Sequence, residues 1–171
     1  MKSIILSEEE ILCIQSFLQE ISNIPMIECV YLVSYLEENT KLEKIDVITI
    51  KNQSLYYNEK LTGKAISRNI QTEQNNFNAT INNFEKLFKN SRIYFSKADD
   101  FEYCLSLMHS REVIAERSLV SGEILFDRFG DKEKNKQRAS CLLKPYPNIL
   151  QIENIEQLKN NKDNVVLKRT K

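Results

Sequence analysis

The chain is short of glycine, histidine and paired cysteine, and each shortage removes a class of chemistry. Only three glycines occur, Gly63, Gly122 and Gly130, which excludes a glycine-rich phosphate loop of the P-loop or dinucleotide type. His109 is the sole histidine, so a histidine-based metal site or a Ser-His-Asp triad would rest on it alone. Its setting, SLMHSRE, reads as the surface of a helix. The four cysteines, Cys13, Cys29, Cys104 and Cys141, are scattered and form no CxxC pair. That argues against a disulfide framework or a zinc site and for buried reduced thiols in a cytoplasmic protein. No apolar stretch approaches the roughly 20 residues that a bilayer span needs. The apolar run from Met1 to Leu6 ends at Ser7-Glu8-Glu9-Glu10, so no secretory leader is expected. Charge of one sign is also missing. Lys+Arg and Asp+Glu both number 24, and no global field draws the chain to nucleic acid or an anionic membrane.

What is present describes a globular protein: 42% hydrophobic and 28% charged residues in 171. The length suits one domain with a single core, assigned to residues 1–171, with the core at about 8–130, a helical part at 131–160 and a basic tail at 161–171. The abundance of Lys, Asn and Ile associates with a low-GC bacterial source.

Ser7 and Glu10 have capping-box spacing and predict a helix whose buried face is Ile11, Ile14, Phe17, Leu18 and Ile21, stopped by Asn23 and Pro25. CVYLV (29–33) reads as a buried strand, SYLEENT as one or two helical turns, and KIDVITI as a second, β-branched strand. QSLYYNEK reads as a third strand or an edge hairpin. The polar, Asn/Gln-rich stretch from Gly63 to Asn78 reads as a mobile loop. Ile81, Phe84, Leu87 and Phe88 mark a helix and RIYFS (92–96) a strand, and a long helix through Leu105 to Leu119 follows. EILFD is a short strand, DRFG a turn, 132–143 a helix ended by Pro145 and Pro147, and ENIEQLKNN a last helix. This mixed order predicts an α+β fold, a mixed sheet flanked by helices.

Two segments, VYLVSYLEENTKLEKIDVITI and SREVIAERSLVSGEILFDRFG, together resemble the minimal nucleotidyltransferase fold. In that family a strand ends in Gly-Ser, a short helix follows, and the next strand carries Asp-x-Asp among apolar residues. Here the first strand ends in Val33-Ser34 and the second carries Lys44-Ile45-Asp46 before Val47-Ile48-Thr49-Ile50. In the second segment Ser121-Gly122, Ile124-Leu125, Phe126-Asp127 and Gly130 match the family's "small-Gly, apolar strand, aromatic-Asp, x-x-Gly" stretch. The resemblance implies a nucleoside triphosphate and magnesium as ligands, the metal held by carboxylates projecting from one strand face.

The residues at those spacings depart from the family. In one register Asp46 matches the second Asp and Lys44 replaces the first; in the other Asp46 is the first and Ile48 replaces the second. Either way one carboxylate of the pair is lost. RIYFS, the candidate for the third carboxylate, holds no acid; Asp99 and Asp100 follow it as displaced ligands or, more commonly, helix caps. Val33 stands where Gly would let the backbone approach phosphate, leaving Ser34 as a phosphate contact or N-cap. Lys44 and Arg68 are candidates to hold an anionic ligand without catalysis.

The leading expectation is therefore a degenerate member, catalytically inactive, serving as a binding or interaction module with a protein partner or a second copy. Two alternatives stay open: an active magnesium enzyme using Asp46 with Asp99 or Asp100, and a small α+β interaction domain of another fold.

Overall fold

The computed structural model describes residues 2–51, 64–99 and 120–159, with the backbone alone for 64–70 and Asp99. The elements are β1 (Ser3–Ile4), α1 (Glu8–Ile21), β2 (Ile27–Leu36), β3 (Glu43–Lys51), α2 (Lys64–Leu87), β4 (Ile93–Asp99), β5 (Glu123–Asp127), α3 (Lys132–Leu142) and β6 (Gln151–Ile152). A helical turn also spans 155–159. The fold is α+β, as the element order implies.

Helix α1 starts where its capping box places it. The Glu10 amide donates to Ser7 Oγ at 3.1 Å, and the Ser7 amide donates to Glu10 Oε1 at 2.9 Å. Its buried face comprises Ile11, Cys13, Ile14, Phe17, Leu18 and Ile21. Past its C-terminus, Arg128 Nη2 donates to the carbonyls of Ser22 and Ile24 at 3.0 and 3.1 Å, and Nε donates to that of Ile27 at 2.8 Å. These bonds tie the exit of α1 to the start of β2; the Ile24 carbonyl also accepts from the Ile27 amide at 3.0 Å.

Strands β4-β3-β2-β5 form a mixed sheet in that order. β2 is antiparallel to β3 and β5, whereas β3 and β4 are parallel. A parallel pair needs a long crossover, and α2 lies within it. Alternation along the strands divides the core in two. Val30, Leu32, Ile45, Val47, Ile93, Phe95 and Leu125 pack with α1 and α2 on one face, hereafter the helix face. Rings of Phe17, Phe84 and Phe95 meet there at centroid distances of 4.8 to 5.6 Å. Cys29, Tyr31, Val33, Tyr35, Ile48 and Ile50 form the opposite face, covered by Ala139 of α3 together with Leu143, Tyr146 and Ile149.

Three expectations are corrected. The stretch 64–78 is not a loop but most of α2, which runs for 24 residues. Phe77, Ile81 and Phe84 anchor its C-terminal half in the core. The polar half is laced instead by amides one turn apart: Gln71 Nε2 donates to Asn75 Oδ1 at 3.1 Å and Gln74 Nε2 to Asn78 Oδ1 at 3.4 Å. Such pairs support a helix by about 0.2–0.5 kcal/mol each, without apolar periodicity. Second, SYLEENT holds no helix. Ser34, Tyr35 and Leu36 continue β2 opposite Ile45, Lys44 and Glu43, so their backbone groups join the ladder. The reversal is a tight turn closed by the Glu37 amide on the Leu42 carbonyl at 2.9 Å, with Lys41 at φ 58°. Third, Cys13 and Cys29 are buried as expected, but Cys141 is exposed.

The ends of the described chain are joined. β1 pairs in parallel with β6, and Asn154 donates to the Leu6 carbonyl at 2.8 Å while accepting from the Leu6 amide at 2.9 Å. The expected strand or hairpin at 53–60, the helix through Leu105 to Leu119 and the basic tail 161–171 lie outside the described residues. No helix among the described residues is long and apolar enough to cross a membrane.

Candidate functional site

Lys44 and Asp46 are two residues apart on β3 and therefore share a face, the one opposite the helices. Asp46 pairs in register with Val33 of β2 on one side and Tyr94 of β4 on the other. It is 2% exposed. Ser96, two residues beyond Tyr94, donates its hydroxyl to Asp46 Oδ1 at 2.6 Å. A carboxylate accepting such a short charge-assisted bond is engaged within the protein.

Lys44 Nζ donates to the Tyr94 hydroxyl at 2.7 Å, lies 4.7 Å from the centre of the Tyr94 ring and is 3.6 Å from Glu37 Oε2. The bond to Tyr94, supported by the Glu37 carboxylate and opposed by partial burial, holds the ammonium above the usual lysine range. Lys44 thus carries a positive charge, held by Tyr94 and Glu37, at the strand position where the resemblance calls for a second carboxylate.

This residue set does not fit magnesium. A hard divalent cation needs several oxygen ligands, carboxylates foremost. Here Asp46 accepts from a serine hydroxyl, and the Glu37 carboxylate is engaged by the Lys44 ammonium. Among the described residues, no three of His, Cys, Asp and Glu gather to hold a metal ion.

The other candidates do not join Asp46. Ser34 pairs with Ile45, one position out of step, so it points to the helix face. It lies inside β2 rather than at a helix start, which corrects the N-cap expectation. Ser34 Oγ donates to the Leu150 carbonyl at 2.8 Å, and the Leu150 amide donates back to the Ser34 carbonyl at 2.8 Å. This double contact fastens segment 148–150 to β2 alongside β5. Beside it, Ser34 lines a cleft of about 300 Å³ formed by β2, the start of β5 and residues 149–155.

Arg68 belongs to α2, which packs on the helix face, opposite Lys44. Its side chain lies outside the described residues. Asp99 ends β4 in register with Lys51, five positions beyond Tyr94. At the strand rise that is roughly 16 Å along the sheet from the level of Asp46. Asp99 is therefore a strand residue, although its side chain is not described. Asp100 and His109 lie outside the described residues.

No local signal in the sequence marks Tyr94, Ser96 and Glu37 as the neighbours of Lys44 and Asp46. RIYFS reads as a strand, but its parallel register on β3 depends on the crossover and leaves no local signal. A second charged feature was also missed: Glu28 and Lys132, 5% and 2% exposed, form a buried ion pair at 3.3 Å. It sits beside the DRFG turn, where Asp127 accepts from the amides of Gly130 and Lys132 at 3.0 Å each and Gly130 takes φ 72°. Glycine is favoured at such a positive φ.

Compared with known families and with curated proteins, the chain matches no family model and no curated protein.

Proposed function

We propose that this chain is a degenerate nucleotidyltransferase-like domain without catalytic turnover, acting as a binding or interaction module in the cytoplasm. The observation that carries this reading is the surroundings of Asp46. Its carboxylate is bonded to Ser96, and its neighbour on the same strand face is the Lys44 ammonium. Nucleotidyl transfer requires cations bridging the attacking oxygen, the leaving oxygen and the phosphates. An ammonium and a hydroxyl at the ligand positions supply neither the charge nor the coordination for that. The adjacent antiparallel strands bearing Val33-Ser34 and Lys44-Ile45-Asp46 support the resemblance in strand order, whereas the absence of a helix between them and the opposite facing of Ser34 and Asp46 depart from it. The roughly 16 Å between the levels of Asp46 and Asp99 weighs against an active site using that pair.

Calorimetry with magnesium and a nucleoside triphosphate, run beside a pyrophosphate-release assay, tests the proposal. The expected result is no magnesium-dependent heat assigned to Asp46 and no pyrophosphate above the protein-free control. Magnesium-dependent pyrophosphate release that Asp46→Asn removes would sink it.

A protein-contact role draws its own support from the surface. Ile5, Leu12 and Leu87 are 62%, 63% and 73% exposed. Burying large apolar side chains of this kind is worth about 1.5–3 kcal/mol each, which a protein partner or a second copy of the chain would supply. Sedimentation of the full chain across a concentration series separates these two partners: self-association identifies a second copy, whereas a concentration-independent monomer rejects it.

A further inference from the structure

We propose that the cleft beside Ser34 is a binding site for a compact organic cation, a primary ammonium on a short apolar body. The cleft lies beside β2 on its β5 side and is lined by neither Asp46 nor Lys44, so the proposal is independent of how the Asp46 site is read. Its volume of about 300 Å³ is at the lower end of the range for small-molecule sites, roughly 300–1,000 Å³.

The lining determines the chemistry of the ligand. Leu32, Leu150, Ile152 and Ile155 provide an apolar wall, while Ser34, Ser121, Glu123 and Gln151 provide polar groups. The first three of these are only partly committed. Ser34 Oγ spends its proton on the Leu150 carbonyl and keeps lone pairs for a donor. Ser121 Oγ accepts from the Tyr146 amide at 3.0 Å and keeps its own proton to donate. Glu123 Oε2 accepts from Lys159 Nζ at 2.9 Å, and the carboxylate has further acceptor sites. The lining's formal charge is that of Glu123, its one ionisable group. A ligand bearing several N–H donors and a positive charge meets this set, whereas an anion would oppose it. Lys159 shows the recognition in miniature. It is a primary ammonium on an alkyl stem, already placed on the carboxylate from outside the lining. A bound ammonium would share or displace that contact.

The test is a charge series on one body. Amide spectra of the full chain would be recorded with hexylammonium, hexanol and hexanoate. Hexylammonium is expected to shift the amides of Ser34, Ser121 and Glu123 in a saturable way, with hexanol weaker and hexanoate without effect. Glu123→Gln should weaken hexylammonium about tenfold, through loss of a charge-assisted bond. Lys159→Ala, at an exposed pair, should strengthen it about two- to fivefold by removing the competitor. Equal responses to hexylammonium and hexanoate, no response to either, or weaker hexylammonium binding in Lys159→Ala would each overturn the proposal. Lys159→Ala keeps the test sound should Glu123→Gln disturb the fold.

Discussion

Ser96 donates to Asp46 across two parallel strands that are joined only through the long crossover containing α2, so the carboxylate is held by a residue 50 positions away. That bond and Lys44 two residues earlier on β3 give this strand face a hydroxyl donor and an ammonium.

Replacing Lys44 with Asp reverses part of this. Lys44→Asp sets a second carboxylate on the same face of β3 as Asp46. Two neighbouring carboxylates repel, so the variant is expected to unfold a few degrees below the parent without metal, from a loss of about 1 kcal/mol. Magnesium chloride should then restore the melting temperature in the variant and leave the parent unchanged. Identical metal responses would show that Lys44 is not what excludes the cation.

Ser34→Ala removes the hydroxyl from the Leu150 carbonyl while leaving the backbone bond from the Leu150 amide. A buried hydrogen bond of this kind contributes about 1 kcal/mol, and a chain of this size should melt about 2–4 °C lower. Amide exchange should accelerate first at 149–152, the segment this contact fastens. Uniform acceleration across the sheet would assign Ser34 a wider role.

Glu10 ties α1 to the start of β4. Arg92 Nε and Nη2 donate to its two carboxylate oxygens at 2.8 and 2.9 Å, and Nη1 donates to Glu43 at 2.7 Å. Burial pushes the Glu10 carboxyl up, but Arg92 and the Ser7 cap outweigh it, and the net value lies below the ordinary 4.5. The folded state therefore favours the ionised form. Its contribution is fully present above pH 4.5 and is lost as pH falls through the lower folded value. Glu10→Gln should cost about 1–2 kcal/mol at pH 7, allowing for solvent screening of a partly exposed pair. The difference between variant and parent should shrink in thermal melts taken from pH 5 to pH 3. A constant difference over that range would remove ionisation as the cause.

The cysteines should differ in reactivity. Burial, with Glu10 and Glu9 nearby, pushes the Cys13 thiol up to about 12, so it carries almost no thiolate at neutral pH. Cys29 is buried in the sheet, whereas Cys141 is exposed on α3. Alkylation under native conditions followed by peptide mapping should label Cys141 first and Cys13 and Cys29 only after unfolding. Early labelling of Cys13 would mean that α1 opens readily.

Local chemistry was legible wherever a signal lies within a few residues. The Ser7–Glu10 capping box, the face from Ile11 to Ile21, the β-branched run Val47–Ile50 and the Asp127–Gly130 turn each form from neighbours in the chain, and each is found in place. Where a polar ladder replaced apolar periodicity, as in α2 from Gln71 to Asn78, the period was invisible and a loop was expected instead. Where strand pairing overrode local propensity, as at Ser34–Leu36, a helix was expected and the strand continued.

The sequence by itself determined that Asp46 has no acidic partner two residues away in either direction, since that follows from Lys44 and Ile48 and needs no fold. It could not determine what Asp46 meets across the sheet, or that Ser34, only one register step away, faces the other side. Strand alternation turns one step of register into opposite faces. The register between β3 and β4 is decided by packing across a crossover rather than by any local residue. Tertiary structure alone therefore separated two residues that the chain keeps close, and joined Ser34 to Leu150 and Asp46 to Ser96.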